Sequence, residues 1–395
     1  MRQLLTDLRV AGRLGARTLA RRLRGSFDES PATDLATWRT ELERWVGTVP
    51  AALIEEHRFV ELPATRPPWT GTGLHLAQGQ ALTWLATGRV YLSRALDIWV
   101  EPSFQLWGRV GDHGEVFRGT RTTHSFVARH AGELHMASYF PGEWSTPEGA
   151  VGSGAGDYHT VSGGMTALLL KWRNGIDPTK WLVDAARRPD TPAPVKAEAE
   201  RLGGVPEKPA GWDYLWYVGP SEIYRPCNAP DGRPAICCET RGDAAILRRP
   251  ASTPLVPGTV LHWQWRVTRL PASLREDSMP SHDYLSIAAE FDDGQDISYH
   301  WSTELPAGTV YRCPLPAWKD KETHVVVRSG QANLGCWLDE QRDLYEDYRR
   351  IIGGPARSVV RVWLIAISLF QRGRGQCEYS AIEISSPDGR RVAVL

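Results

Sequence analysis

The spacing of apolar positions changes along the chain, and each change marks a change of element. Between residues 1 and 25, Leu4, Leu5, Leu8, Ala11, Leu14, Leu19 and Leu23 recur at helical spacing, with Arg2, Arg9, Arg13, Arg17 and Arg24 opposite them. A basic amphipathic helix is predicted there. Residues 30–33 supply capping chemistry for a second helix carrying Leu35, Trp38, Leu42 and Trp45, and Pro50 opens a short third one. From about residue 58 alternation replaces the helical period, with Leu74 and Leu76, then Leu82, Trp84 and Ala86, set between the turn signals Gly71-Thr72-Gly73 and Gln78-Gly79-Gln80. Short strands and Gly-rich turns continue to about Trp172. Residues 176–208 are then rich in Ala, Pro and charge, with short helices expected near 181–187 and 195–202. The strand signature returns in LHWQWRVTRL, YLSIAAEF, QDISYHW, THVVVRSG, SVVRVWLIAISLF and CEYSAIEI. One run, LDEQRDLYEDYRRII, reads as a helix with Leu338, Leu344, Tyr345, Tyr348 and Ile352 available to dock on a sheet.

The expected fold is therefore mainly β: two antiparallel jelly-roll-type β-sandwiches, an N-terminal helical segment, and one helix packed on the second sandwich. The boundaries expected are a helical segment over 1–57, a sandwich over 58–175, a connection over 176–208 and a second sandwich over 209–395. A chain of 395 residues is too long for one growing core, which agrees with two. Lys plus Arg and Asp plus Glu each number 46, so the net charge is zero and no long-range attraction to nucleic acid is expected. No apolar run is long enough to span a membrane, and the N-terminus lacks the continuous apolar core of a secretory signal. The expected location is cytoplasmic. The basic helix either packs on its own chain or meets a membrane face or a protein partner. All six Cys lie in the C-terminal half at no zinc-ligand spacing, so neither a disulfide, a metal nor another cofactor is expected, and adjacent Cys237 and Cys238 should sit on opposite faces of one strand.

The segment PPWTGTGLHLAQGQALTWLATGRVYL, followed by LWGRVG, HSFVARHAGELHMASYFPG and MTALLLKW, resembles the galactose-binding-like jelly roll of PA-I lectin-like domains over about residues 60–175. Members of that family that bind sugar hold a calcium ion near an Asp-Asn pair in the loop corresponding to SYFPGEWSTPEGAVGSGAGDYH. That pair is absent here, and Glu143, Glu148 and Asp157 are the carboxylates left in the loop. The stretch from about 210 to 385 resembles the bacterial DUF3047 family, of unknown function. The motifs are Trp263-x-Trp265-Arg266-Val267, Tyr299-x-Trp301, Val326 to Gly330, Gly335-x-Trp337, and Arg342-Asp343 followed by Asp347-Tyr348. That resemblance implies a fold and no reaction.

Standard catalytic motifs are missing: no phosphate loop, dinucleotide fingerprint, HExxH or nucleophile elbow occurs, and the Gly-rich stretch 152–156 reads as a sandwich loop. Strand parity gives the candidate site instead. In LHWQWRV the residues Leu261, Trp263, Trp265 and Val267 share one face, leaving His262, Gln264 and Arg266 on the other. The same rule sets Tyr284 and Glu290 opposite Ile287 and Phe291, His300 opposite Tyr299 and Trp301, and His324 and Arg328 opposite Val325 and Val327. If these strands neighbour one another, His262, Gln264, Arg266, Tyr284, Glu290, His300, His324 and Arg328 furnish one polar face. That face is either solvated or a ligand groove. In a catalytic version Glu290 and His300 are the general acid and base. Tyr139 and Trp144, in YFPGEW, form either a stacking platform for a sugar or a packing contact. The function expected is binding of a carbohydrate or other polar small molecule by tandem jelly rolls. The alternative is a hydrolase, lyase or cyclase working on the polar face or between the sandwiches.

Overall fold

Alternation in both halves of the chain resolves into four sheets in the computed structural model, which describes residues 2–24, 34–65, 68–152, 158 and 160–395. The chain divides into two units, one of residues 18–205 with 219–221, the other of residues 1–17, 206–218 and 222–395. Both are sandwiches.

In the first unit the strands are β1 (Ile54–Pro63), β2 (Thr70–Leu76), β3 (Ala81–Ser93), β4 (Ile98–Val100), β5 (Leu106–Val110), β6 (Phe117–Arg118), β7 (Thr123–Val127), β8 (Gly132–Ser138) and β9 (Ser162–Trp172). One sheet runs β1-β9-β3-β4 with β7 also paired to β3, and the other runs β2-β8-β5-β6. On β3, Gly88 is at φ 113°, and a Cβ there would stand 2.3 Å from the Gly164 carbonyl, so close strand approach requires Gly. Helix α2 (Leu35–Val46) is capped by Asp34, whose Oδ2 accepts from the Thr37 N–H at 3.0 Å. The cap expected at 30–33 lies outside the described residues. Pro50 opens a turn over 51–53 rather than a third helix. Helix α3 is the single turn Pro102–Gln105. Helices α4 (Pro178–Ala186) and α5 (Ala193–Gly203) form near the positions read from the sequence. They give Leu182 and Val195 to the core that Trp38, Leu42 and Trp45 build against Leu85, Leu168, Leu170 and Trp172, so this segment is structural in its own right.

The second unit holds β10 (Asp213–Tyr214), β11 (Tyr224–Asn228), β12 (Pro234–Arg241), β13 (Ala244–Pro254), β14 (Val260–Arg269), β15 (Tyr284–Phe291), β16 (Asp296–Ser302), β17 (Val310–Arg312), β18 (Glu322–Ser329), β19 (Leu338–Asp343), β20 (Ser358–Ile367), β21 (Arg374–Ser385) and β22 (Arg391–Ala393). A seven-stranded sheet runs β10-β13-β20-β15-β16-β18-β17, and a six-stranded one runs β11-β12-β21-β14-β19 with β22 on β21. Their facing sides meet through aromatic rings, Trp263 stacked on Tyr299 and Trp265 tilted against Trp301, each pair 5.9 Å between ring centroids.

Three details depart from the sequence reading. The β16–β18 pairing is parallel, inside a sheet expected to be wholly antiparallel. The run expected to be one helix splits: Leu338–Asp343 pairs with the edge of β14, and only α6 (Leu344–Ile351), capped by Asp343, is helical. Cys227 and Cys237 form a disulfide across the β11–β12 hairpin, with Cα atoms 5.8 Å apart. Cys237 is half-buried and Cys238 buried, as adjacent strand positions require. Helix α1 (Arg2–Arg24) buries Val10 and Leu14, one turn apart, while Leu8 and Leu19 are exposed. Its polar side is engaged in the second unit, with Arg13 bridging Glu304 at 2.8 Å and Arg17 donating to Ser273 at 2.7 Å. The Ser278 hydroxyl donates to Asp7 at 2.7 Å.

Candidate functional site

The single polar face anticipated from parity is two faces, because β14 belongs to the six-stranded sheet and β15, β16 and β18 to the seven-stranded one. Parity itself holds on β14: Leu261, Trp263, Trp265 and Val267 are buried in the core, and His262, Gln264 and Arg266 face outward, half-buried. The outward three are engaged by neighbouring strands. His262 Nε2 lies 3.1 Å from Ser385 Oγ, Gln264 Nε2 donates to Asp339 at 2.5 Å, and Arg266 pairs with Glu378.

On the seven-stranded sheet, Tyr284, His300 and His324 do converge from three strands. Ring centroids are 5.8 Å apart for Tyr284 and His300, 5.5 Å for His300 and His324, and 4.9 Å for Tyr284 and His324. They are fully buried, however, because this face is covered by loops. The segment 206–218 and the loop around Trp318 pack Leu215, Tyr217, Val218 and Trp318 against Tyr284, Ala288 and Trp363. Glu290 is remote from His300. It lies opposite Asp296 on β16 whereas His300 lies opposite Ser286, and Arg361 and the Trp363 Nε1–H hold its carboxylate at 2.8 and 2.9 Å. These two residues do not form an acid–base pair. Arg328 is turned away by a register shift in the β16–β18 pairing that sets it beside Trp301, and it bonds Glu340, which also accepts from Trp265 Nε1.

Under the loops, residues that sequence reading passed over complete the cluster. His282 precedes β15, Cys313 follows β17, and Glu322 shares the face of β18 with His324. One donor atom from each of these four lies within 4.8 Å of the other three, and all four residues are buried. Cys313 Sγ is 3.4 Å from His282 Nε2, and His324 Nε2 is 3.6 Å from Glu322 Oε2. Tyr284 donates to the other oxygen, Oε1, at 3.0 Å, and His282 Nδ1 meets the Glu276 carbonyl at 2.6 Å. Tyr311 stacks on His324 and hydrogen-bonds His300. Burial, then the neighbouring His324, lowers the His282 pKa to about 3. Burial pushes the Cys313 thiol up, and Glu322 adds to it. Glu322 itself, raised by burial, is held down on balance by His324 and His282, while burial and Glu322 raise its neighbour Asp296. The signal available in the sequence was the Glu-x-His alternation on one strand. His282 and Cys313 arrive from loops at no fixed spacing.

In the first unit Tyr139 and Trp144 are not a platform. They are 0 % and 4 % exposed, with rings 4.3 Å apart and Trp107 and Trp69 packed around Trp144. Of the loop carboxylates, Glu143 accepts from the Tyr158 hydroxyl at 3.1 Å and Glu148 is exposed, while Asp157 and most of the Gly-rich stretch lie outside the described residues. An open cavity lies elsewhere in this unit, between edge strands β6 and β7, with a volume of about 360 Å³. Phe117, His124 and Phe126 wall it, with Phe117 and Phe126 4.7 Å apart and His124 stacked 6.0 Å from Phe126. Glu115, Arg129 and His130 are its exposed polar lining. His124 Nδ1 is buried without a hydrogen-bond partner, and burial first, then Arg201, lowers the imidazole pKa to about 4.

Residues 211–383 match the model of a family described as a protein of unknown function (DUF3047), the family indicated by the Trp-x-Trp-Arg-Val and following motifs. No curated protein matches the chain. Solved structures similar to it include the N-terminal domain of EclA, a PllA-like lectin (17 % identity, 31 % of this chain and 99 % of that one, TM-score 0.24). Another is the xyloglucanase domain of NopAA, a type three effector from Sinorhizobium fredii, in complex with cellobiose (10 %, 46 % and 96 %, TM-score 0.28). A third is TmCBM61 in complex with beta-1,4-galactotriose (11 %, 44 % and 88 %, TM-score 0.22).

Proposed function

We propose that this is a carbohydrate-binding protein whose first sandwich takes a sugar ring in the cavity between β6 and β7. The observation that carries this reading is the wall of Phe117, His124 and Phe126 around a space of about 360 Å³ that opens to solvent. A cavity of this size suits a small ring compound, and flat aromatic walls suit the C–H face of a sugar. The ring hydroxyls need polar partners. Glu115, Arg129 and His130 offer charged or ionisable groups at its rim. His124 stays neutral at pH 7, so its ring walls the cavity without bringing a buried charge.

A glycan array probed with the full chain, followed by calorimetric titration of the strongest hit, tests the reading. Phe126→Ala should weaken binding about five- to tenfold, in line with the ~1–1.5 kcal/mol worth of one aromatic contact. Tyr139→Phe, in the closed core, should leave it unchanged. An array with no hits, or a hit insensitive to both Phe126→Ala and Phe117→Ala, would sink the proposal.

A further inference from the structure

We infer that His282, Cys313, Glu322 and His324 of the second unit bind a divalent transition-metal ion, zinc by the character of the ligand set. The inference is independent of the sugar cavity, which lies in the other unit. Two imidazoles, a thiolate and a carboxylate are the donors that zinc takes, and four protein donors with no open position is its closed, structural form. The geometry is close to what a tetrahedron requires. Zinc–ligand bonds of about 2.0–2.3 Å place neighbouring donor atoms about 3.3–3.7 Å apart. The Cys313–His282 and His324–Glu322 edges already measure 3.4 and 3.6 Å, and no donor pair exceeds 4.8 Å.

The second observation is His324. Its side chain is fully buried, yet neither ring nitrogen has a hydrogen-bond partner. Buried imidazoles are normally satisfied, and an ion on Nε2 removes that anomaly at one nitrogen. The surrounding contacts are those that orient metal ligands. The Glu276 carbonyl can only accept, so His282 Nδ1 carries the proton and Nε2 presents its lone pair to Cys313. Tyr284 occupies Glu322 Oε1 and leaves Oε2 directed at His324. Binding converts the Cys313 thiol to a thiolate and releases its proton to solvent, and with the Glu322 carboxylate the ion is electrically balanced. The ion would tie the loops bearing His282 and Cys313 to β18.

The full chain, expressed in zinc-supplemented medium, should carry about one zinc per molecule by elemental mass spectrometry. Replacement by Co²⁺ should give the near-ultraviolet thiolate charge-transfer band and the intense visible bands of a tetrahedral site. Cys313→Ser should abolish the charge-transfer band, and His324→Gln should lower zinc affinity at least tenfold. Cys336→Ser, at an exposed cysteine, should change neither. If the variants do not fold, the unaltered chain still decides: chelation should lower its melting temperature and added zinc should restore it. A folded, metal-free chain that takes up no zinc, or a cobalt spectrum indifferent to Cys313→Ser, overturns the assignment.

Discussion

Asp347 gathers four hydrogen bonds on one buried carboxylate. It accepts from the Tyr299 hydroxyl at 3.0 Å, from Arg342 Nε and NH2 at 2.9 and 2.8 Å, and from Arg350 at 2.8 Å. Removing the carboxylate leaves a buried phenol and two guanidinium groups short of their partner. Asp347→Ala is therefore expected to destabilise the second unit by about 3 kcal/mol, measured by urea denaturation. Arg342-Asp343 and Asp347-Tyr348 stand out in the sequence, but not that Asp347 would look inward, since nothing in a helix pattern tells a capping acid from a core anchor. The same limit applied to the histidines. Parity correctly placed His300 and His324 on the non-core face of their strands, but the covering loops that bury them carry no periodic signal.

At the scale of elements, alternation was the dependable guide. The run YLSIAAEF is the whole of β15, and the Trp263 and Trp265 strand has its predicted inward face. What alternation cannot supply is sheet membership, because a strand packs equally well on either layer of a sandwich. His262, Gln264 and Arg266 were separated from the rest for that reason. The LDEQRDLYEDYRRII run was ambiguous for a different one: its first half met the open edge of β14, and pairing there won over helix propensity. Helix α1 is the reverse case: of its seven-residue apolar stripe Leu14 is buried in the described middle, together with Val10, which the stripe did not include. Leu14→Ala is expected to cost about 2 kcal/mol of second-unit stability by chemical denaturation, whereas Leu8→Ala, at an exposed position, should stay within about 0.5 kcal/mol.

The whole molecule has separate hydrophobic cores in its two units, so calorimetry should show two heat-absorption peaks. Acid should act on the first unit through His124. His124 is neutral in the fold down to about pH 4 but takes a proton near its ordinary value of 6.5 when unfolded, so its contribution is complete above 6.5 and is lost as pH falls toward 4. The first unit's peak should move down across that window, and His124→Gln should reduce the shift. An equal shift in the variant would show that other groups carry it. The two-sandwich architecture was legible from composition and turn spacing. The assignment of residues 206–218 and 1–17 to the second unit was not, since it depends on contacts far along the chain.

The pairing of Arg13 with Glu304 spans 291 positions. Synthesis proceeds at about 5–20 residues per second, so the helix leaves the ribosome roughly 15–60 s before its partner exists. A segment made well ahead of its partner is used late. Over that interval Val10 and Leu14 lack the cover that the fold gives them, and the second unit cannot finish ahead of residues translated 291 positions later.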